Sequence, residues 1–463
     1  MLNANDLKST RFRALLLLLA LVLALPAATS CKGSSIDSDK VFAETPSIAT
    51  VYGAKNSAFS GGCSVAEQGV FYFWYNTMKY FDLDSGNSYV LCHQEGCQHS
   101  DRSCGAWYYG HDYATGLAQY GDSIYAFRRN DTSNTFDLVR MSMSDDNHEI
   151  IYSMKIGAIA PGEWVLRDIE HVSYSGSRAW FIAWYYYVVD NENGSISYGN
   201  IVRQVITGVD LANGSHIELN QLSLDDLSYY TIQFASSDYV VYEKRWDSPT
   251  QLSPEDLTAN GEYPEFSDDY YWRWNNANPQ YSTVLYSIES GEYRIIDEGY
   301  LQPYPSEEDV AGWGSRYIIA GDYNGELLVF IPDWQTGGST VYLYNPNTDE
   351  TSFLLDIDTG WLMTLANSGM AIEAITRDGS LLFSRNLEDG SISISRYSLE
   401  TSEVTELFTC PQNNQVRIEG ETDNYFIFGR ARVYDDFGTP ILYSISKDDF
   451  YNGNLDAAVK LKL

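Results

Sequence analysis

The chain is poor in positive charge. Lys and Arg total 29 against 63 Asp and Glu, giving a formal charge of −34 at pH 7. A surface this acidic repels phosphate backbones and anionic headgroups, which argues against a nucleic-acid partner. It suits cationic partners, Ca²⁺, or plain solubility. Histidine is scarce, with six in 463 residues, so general acid–base chemistry would fall to carboxylates. Gly-x-Ser-x-Gly, His-Glu-x-x-His, a P-loop, Gly-x-Gly-x-x-Gly and Cys-x-x-Cys are all absent. Gly312-Trp-Gly314 fails at the third glycine of a dinucleotide loop. Asp82-x-Asp84-x-Gly86 and Asp356-x-Asp358-x-Gly360 lack the later acidic ligand of an EF-hand and read as turns. The apolar run at 14–25 is too short to span a bilayer.

Short strands are what the chain has in abundance. Within 370–408, Met370–Ile375, Leu381–Arg385, Ser391–Tyr397 and Val404–Phe408 read as four strands. Arg377-Asp-Gly379 and Glu388-Asp-Gly390 turn the chain between them. Four antiparallel strands in one such unit read as a propeller blade. The third-strand ending (apolar, spacer, apolar, turn) recurs at Phe81, Met141, Val209, Tyr286, Tyr344, Tyr397 and Tyr443. The second strand recurs in the same order from Val70, Ser123, Ala179, Tyr239, Leu327, Leu381 and Tyr425. Both signatures count to seven. The expectation is an all-β chain, one β-propeller of seven four-stranded blades over 47–463, with six or eight as alternatives. A β-sandwich is the competing architecture, but sandwiches do not repeat a four-strand unit.

At the N-terminus, Lys8, Arg11 and Arg13 precede the apolar run, and Ala28-Thr29-Ser30-Cys31 follows it. This resembles a bacterial lipoprotein signal with its lipobox, although Leu is commoner at the Ala28 position. The resemblance implies that 1–30 is removed, that Cys31 carries the lipid, and that 31–46 is a lipidated tether. Polar residues 32–40 suit such a tether. The expected location is extracytoplasmic, on a bacterial surface, with the membrane reached through the lipid anchor alone. Ordinary secretion is the alternative.

Five further cysteines are Cys63, Cys92, Cys97, Cys104 and Cys410, and three of them share the segment 91–106 with His93 and His99. Cys92, Cys97, His99 and Cys104 offer three thiolates and an imidazole, a set suited to a closed structural Zn²⁺ site. The spacing is not that of a standard zinc finger. Disulfides, favoured outside the cytoplasm, and free buried thiols are the other readings. A catalytic thiol is disfavoured, because no clear base and orienter accompany it. Leu91-Cys92-x4-Cys97-x-His99, with Cys104 after it, resembles a segment of uncharacterised surface lipoproteins of Gram-positive bacteria that carry a propeller. That resemblance implies architecture and location, and no activity.

Two aromatic clusters stand out. Tyr270, Tyr271, Trp272 and Trp274, with Asp268 and Asp269, fall in a long polar insertion in the fourth repeat. Rings beside carboxylates suit carbohydrate stacking or an aromatic-anchored protein contact. Trp180, Trp184, Tyr185, Tyr186 and Tyr187 lie on a strand signature and read as packing between blades. The expected function is a non-enzymatic binding module for an oligosaccharide or peptide. A propeller glycosidase or polysaccharide lyase using paired carboxylates is the first alternative. A scaffold for an envelope protein complex is the second.

Overall fold

The computed structural model describes residues 49–50, 63–66, 68–74, 77–100, 104–107, 115–120, 123–130, 132–142, 147–190, 196–220, 228–246, 280–300, 317–333, 338–358, 360–362, 375–411, 416–434 and 440–461. They form seven antiparallel sheets, each built on four strands consecutive in the chain. The sheets span 63–90, 115–155, 164–218, 229–300, 318–357, 360–411 and 416–460, and are the blades 1 to 7 of one β-propeller. All seven expected second strands and all seven third strands occupy those places in their blades.

Blade 6 shows why the unit forms. Ser380–Asn386 pairs with Ser391–Ser398, which pairs with Val404–Pro411. Between the first two, Gly390 takes φ +78 and Asp389 Oδ1 accepts the Ser391 amide at 2.9 Å, the local bond that favours Asp in turns. Inward residues Leu382, Ile392 and Ile394 pack against Ile418, Phe426 and Phe428 of blade 7. One face of each sheet thus buries against the next.

Three expectations are corrected here. The first strand of blade 6 is Gly360–Leu362, which pairs with Phe383–Arg385. Of the expected strand at 370–375, Ile375 forms an isolated bridge to Leu381, and 370–374 lie outside the described residues. Blade 3 has a fifth strand, Ala49–Thr50, on the inner edge of Trp164–Ser175. The fourth strand of blade 6, expected to end at Phe408, runs on to Pro411 and so contains Cys410, which is buried in the blade 6–7 core.

The ring closes by side-chain packing. Val70, Tyr72 and Phe81 of blade 1 share a core cluster with Ile427, Leu442 and Leu461 of blade 7. Between blades 6 and 7, Glu421 accepts the Arg377 amide at 2.7 Å and pairs with Lys447 at 2.6 Å. Between blades 4 and 5, the buried Gln233 accepts the Ile319 amide at 2.9 Å. A short helix, α1 (Lys447–Tyr451), joins the last two strands of blade 7 and buries Phe450 against Phe426 and Phe408.

The meander makes the two ring faces unequal. Connections from first to second and from third to fourth strands leave on one face, and most are tight turns such as 83–86 and 346–349. Connections from second to third strands and between blades leave on the other. That face carries three long stretches, 91–114, 247–279 and 301–317, whereas the opposite face carries one of comparable length, 363–379. The extended strands Arg178–Asp190 and Ile196–Asp210 of blade 3 also project toward it.

Candidate metal centre on the loop-bearing face

The cysteine-rich segment is an insertion into the outer strand of blade 1. That strand, Asn87–Val90, pairs with the third strand, Thr77–Asp82, only over Lys79–Asp82. The remainder of the third strand is covered by chain returning after the insertion. Thr77 bridges Trp107, and the Met78 amide donates to Ala106 O at 2.9 Å. The Leu91 amide donates to Met78 O at 3.1 Å. One residue, Met78, therefore holds both ends of the loop by its own backbone. Leu91 and Ala106 are buried at this base.

Within the loop two left-handed residues fold the chain back, Gly96 at φ 75 and His99 at φ 55. A non-glycine residue in that region carries strain that its surroundings must offset. Here it turns the imidazole inward: His99 Nδ1 lies 3.4 Å from Cys104 Sγ, and the His99 amide donates to Cys97 Sγ at 3.4 Å. Donor atoms of Cys92, Cys97, His99 and Cys104 all lie within 4.8 Å of one another. None of Cys92, Cys97, Cys104 and Cys410 is disulfide-bonded.

Four donors packed this closely interact strongly. Burial pushes the Cys104 thiol up to about 12, and the neighbouring Cys92 and Cys97 groups add to it. At Cys92 burial also opposes ionisation. Hydrogen bonds from the Gln94 and Gly105 backbone and from the Cys104 and Cys97 thiols outweigh it, and the pKa falls below the usual thiol value. A tetrahedral ion with metal–sulfur bonds near 2.3 Å and metal–nitrogen bonds near 2.0 Å sets its donors about 3.5–3.8 Å apart. The His99–Cys104 separation is close to that, and the residues fit a four-coordinate soft or borderline divalent metal. The set could hold a metal.

The other expected site residues fall as follows. Tyr270, Tyr271, Trp272, Trp274, Asp268 and Asp269 lie outside the described residues, as do Cys31 and the tether. The strands flanking the aromatic insertion, Tyr239–Trp246 and Gln280–Ser287, end on the loop-bearing face. Trp180 is fully buried between blades 3 and 4, with Trp184 packed on the same cluster. Tyr185 packs on the blade 2–3 core. Tyr186 and Tyr187 are half-buried at the projecting end of blade 3. Tyr187 meets Trp164 at 5.2 Å, and Tyr186 meets Tyr198 at 6.4 Å. Arg167 lies over the Tyr198 ring at 4.4 Å. The expected Asp82–Gly86 turn is present, with Asp82 Oδ1 accepting the Ser85 amide at 2.6 Å. Sequence reasoning missed the clamp by Met78, Leu91, Ala106 and Trp107. Its one signal was the pair of apolar stretches that bracket an otherwise polar segment.

No family profile and no curated protein matches the chain. Solved structures do. An acylaminoacyl peptidase of Pyrococcus horikoshii is similar at 11% identity and a TM-score of 0.45, over 92% of this chain and 53% of that one. The chain therefore spans about half the length of that peptidase. The β-propeller domain of the Trilobed protease from Pyrococcus furiosus matches at 10% identity and a TM-score of 0.45, over 90% of this chain and 99% of that one. An oligogalacturonate lyase in complex with manganese matches at 10% identity and a TM-score of 0.42, over 86% and 89% of the two chains. Likeness at this level says nothing of activity.

Proposed function

We propose that the chain is a lipid-anchored, extracytoplasmic propeller that binds an oligosaccharide or a peptide on its loop-bearing face, with Zn²⁺ held by Cys92, Cys97, His99 and Cys104. The observation that carries this reading is the inequality of the two faces. The cysteine loop, the projecting aromatic end of blade 3 and the strands bounding the aromatic insertion all belong to one face. Binding residues concentrate on loops set on a rigid scaffold, and long connections on one side of a ring supply them. Zinc in a three-thiolate, one-imidazole set leaves no open coordination position, so its contribution is to shape rather than to chemistry.

The test is a thermal-shift screen of the chain from Lys32 onward against glycans and peptides. A ligand specific to the folded state, at 100 times its Kd, is expected to add about 2.7 kcal/mol of stability. Trp272→Ala with Trp274→Ala should abolish that shift and leave ligand-free unfolding unchanged. Absence of any shift across both classes overturns the binding reading. Loss of folding in the double variant would instead place those rings in the core.

A further inference from the structure

We infer that the cysteine loop is a metal-conditional module: its described residues, 92–100 with 104 and 105, are ordered by the bound ion, whereas the seven-bladed ring is ordered without it. This rests on the zinc reading above and adds a regulatory consequence, since the ion then sets the shape of the loop-bearing face at blade 1.

Composition is the first ground. From Cys92 to Ser103 the chain reads Cys-His-Gln-Glu-Gly-Cys-Gln-His-Ser-Asp-Arg-Ser, with no aliphatic or aromatic hydrocarbon side chain. Ordering each residue costs conformational entropy, and a segment without apolar side chains has no burial to offset it. Exposure agrees with this. His93, Gln94, Glu95, Gly96, Gln98 and Ser100 are exposed, Cys92, Cys97 and His99 are half-buried, and Cys104 is buried. Among the described loop residues, few local backbone bonds are present, Cys97 N to Gln94 O at 3.2 Å and Trp107 N to Cys104 O at 3.0 Å among them. What converges instead is the donor set itself. Small segments of this kind take their folding free energy from the metal.

The second ground is that the ring does not depend on the loop. Blade 1 buries Val70, Tyr72 and Phe81 against blade 7, and no loop residue belongs to that cluster. Loss of the loop's order would leave Leu91 and Ala106 to fray at the end of one outer strand. The clamp on Met78 is the boundary between the two behaviours.

Amide hydrogen exchange on the chain from Lys32 onward, kept reduced and titrated with Zn²⁺ alone, tests the inference. Zn²⁺ at 100 times its Kd should reduce local opening about 100-fold. The affected amides are Cys97, His99, Trp107 and, at the clamp, Met78 and Leu91. Val70, Phe127 and Phe383 in the ring should exchange equally with and without metal. Cys97→Ser should abolish the metal effect on the loop and leave the ring unchanged. If that variant fails to fold, the titration of the unaltered chain decides alone. Binding of one Zn²⁺ with unchanged loop exchange overturns the inference and leaves the zinc reading standing. Exposure of ring amides on chelation overturns it as well, because loop and ring would then be one unit. If Zn²⁺ does not bind, both readings fall.

Discussion

His171 lies in the strand Trp164–Ser175 of blade 3 in the left-handed region, φ 55. It falls where the pairing of that strand slips between Glu170 and Ser173. Both ring nitrogens are buried without a hydrogen-bond partner. Burial lowers its pKa to about 4, with the Ile232 backbone nearby pulling weakly the other way. An unfolded chain would protonate this histidine near its ordinary value of about 6.5. Between those two values the unfolded state binds the extra proton, so stability falls as pH drops from about 6.5 toward 4. The loss at about pH 4.5 should be about 2.5 kcal/mol. His171→Asn, which tolerates the same backbone, should remove that component. Urea unfolding of both proteins at about pH 7.5 and 4.5 checks it, and parallel pH dependences would count against the assignment. Nothing in the sequence marked His171, because the pairing slip at which it takes its left-handed backbone has no side-chain signature. The four donors Cys92, Cys97, His99 and Cys104 were legible as a group by their closeness in the chain, with metal, disulfide and free thiols all open, and the structure brings them within 4.8 Å of one another. Their two-ended attachment to Met78 was not legible, because backbone pairing leaves no side-chain signature.

The strand repeats were legible for the opposite reason. In blade 2 the second and third strands, Ser123–Asn130 and Thr135–Ser142, are largely buried, and such strands fill with Val, Ile, Phe and Tyr. Several first strands are interrupted by bulges, and that of blade 6 spans three residues. That is why 370–375 was read as the first strand of blade 6 in place of Gly360–Leu362, and why Ala49–Thr50 went unseen. At the joint between blades 7 and 1, a Cβ on Gly420 would come within 2.6 Å of Val65 Cγ2. Its backbone is ordinary, so the constraint is space alone. Gly420→Ala is expected to cost about 1–3 kcal/mol through overpacking. Adding Val65→Ala should return part of that, and a double-mutant cycle on urea midpoints measures the coupling. Additive effects would mean that the joint has room to relax.

The expected tether, 31–46, lies outside the described residues. If Cys31 carries the lipid, Cys31→Ser should move the protein from the membrane fraction to the soluble fraction with an unchanged unfolding midpoint. Retention at the membrane would point to another attachment. Net charge argues against nucleic acid as a partner on electrostatic grounds. Charge and composition carry no ligand identity, because glycan and peptide surfaces draw on the same Trp, Tyr and Asp.

Among the described strands, no blade lends a strand to its neighbour, and the joint between blades 7 and 1 is packed like the others. The four-stranded meanders by themselves therefore mark no origin. The covalent break between first and last blade could be moved to another joint and keep those meanders, with Ala49–Thr50, which precedes blade 1 and pairs in blade 3, the described strand that would be displaced. Gain or loss of one blade would change the number of like joints rather than their kind. In such an architecture, blade number and the order in which blades are written along the chain are free to drift separately from the face that does the binding.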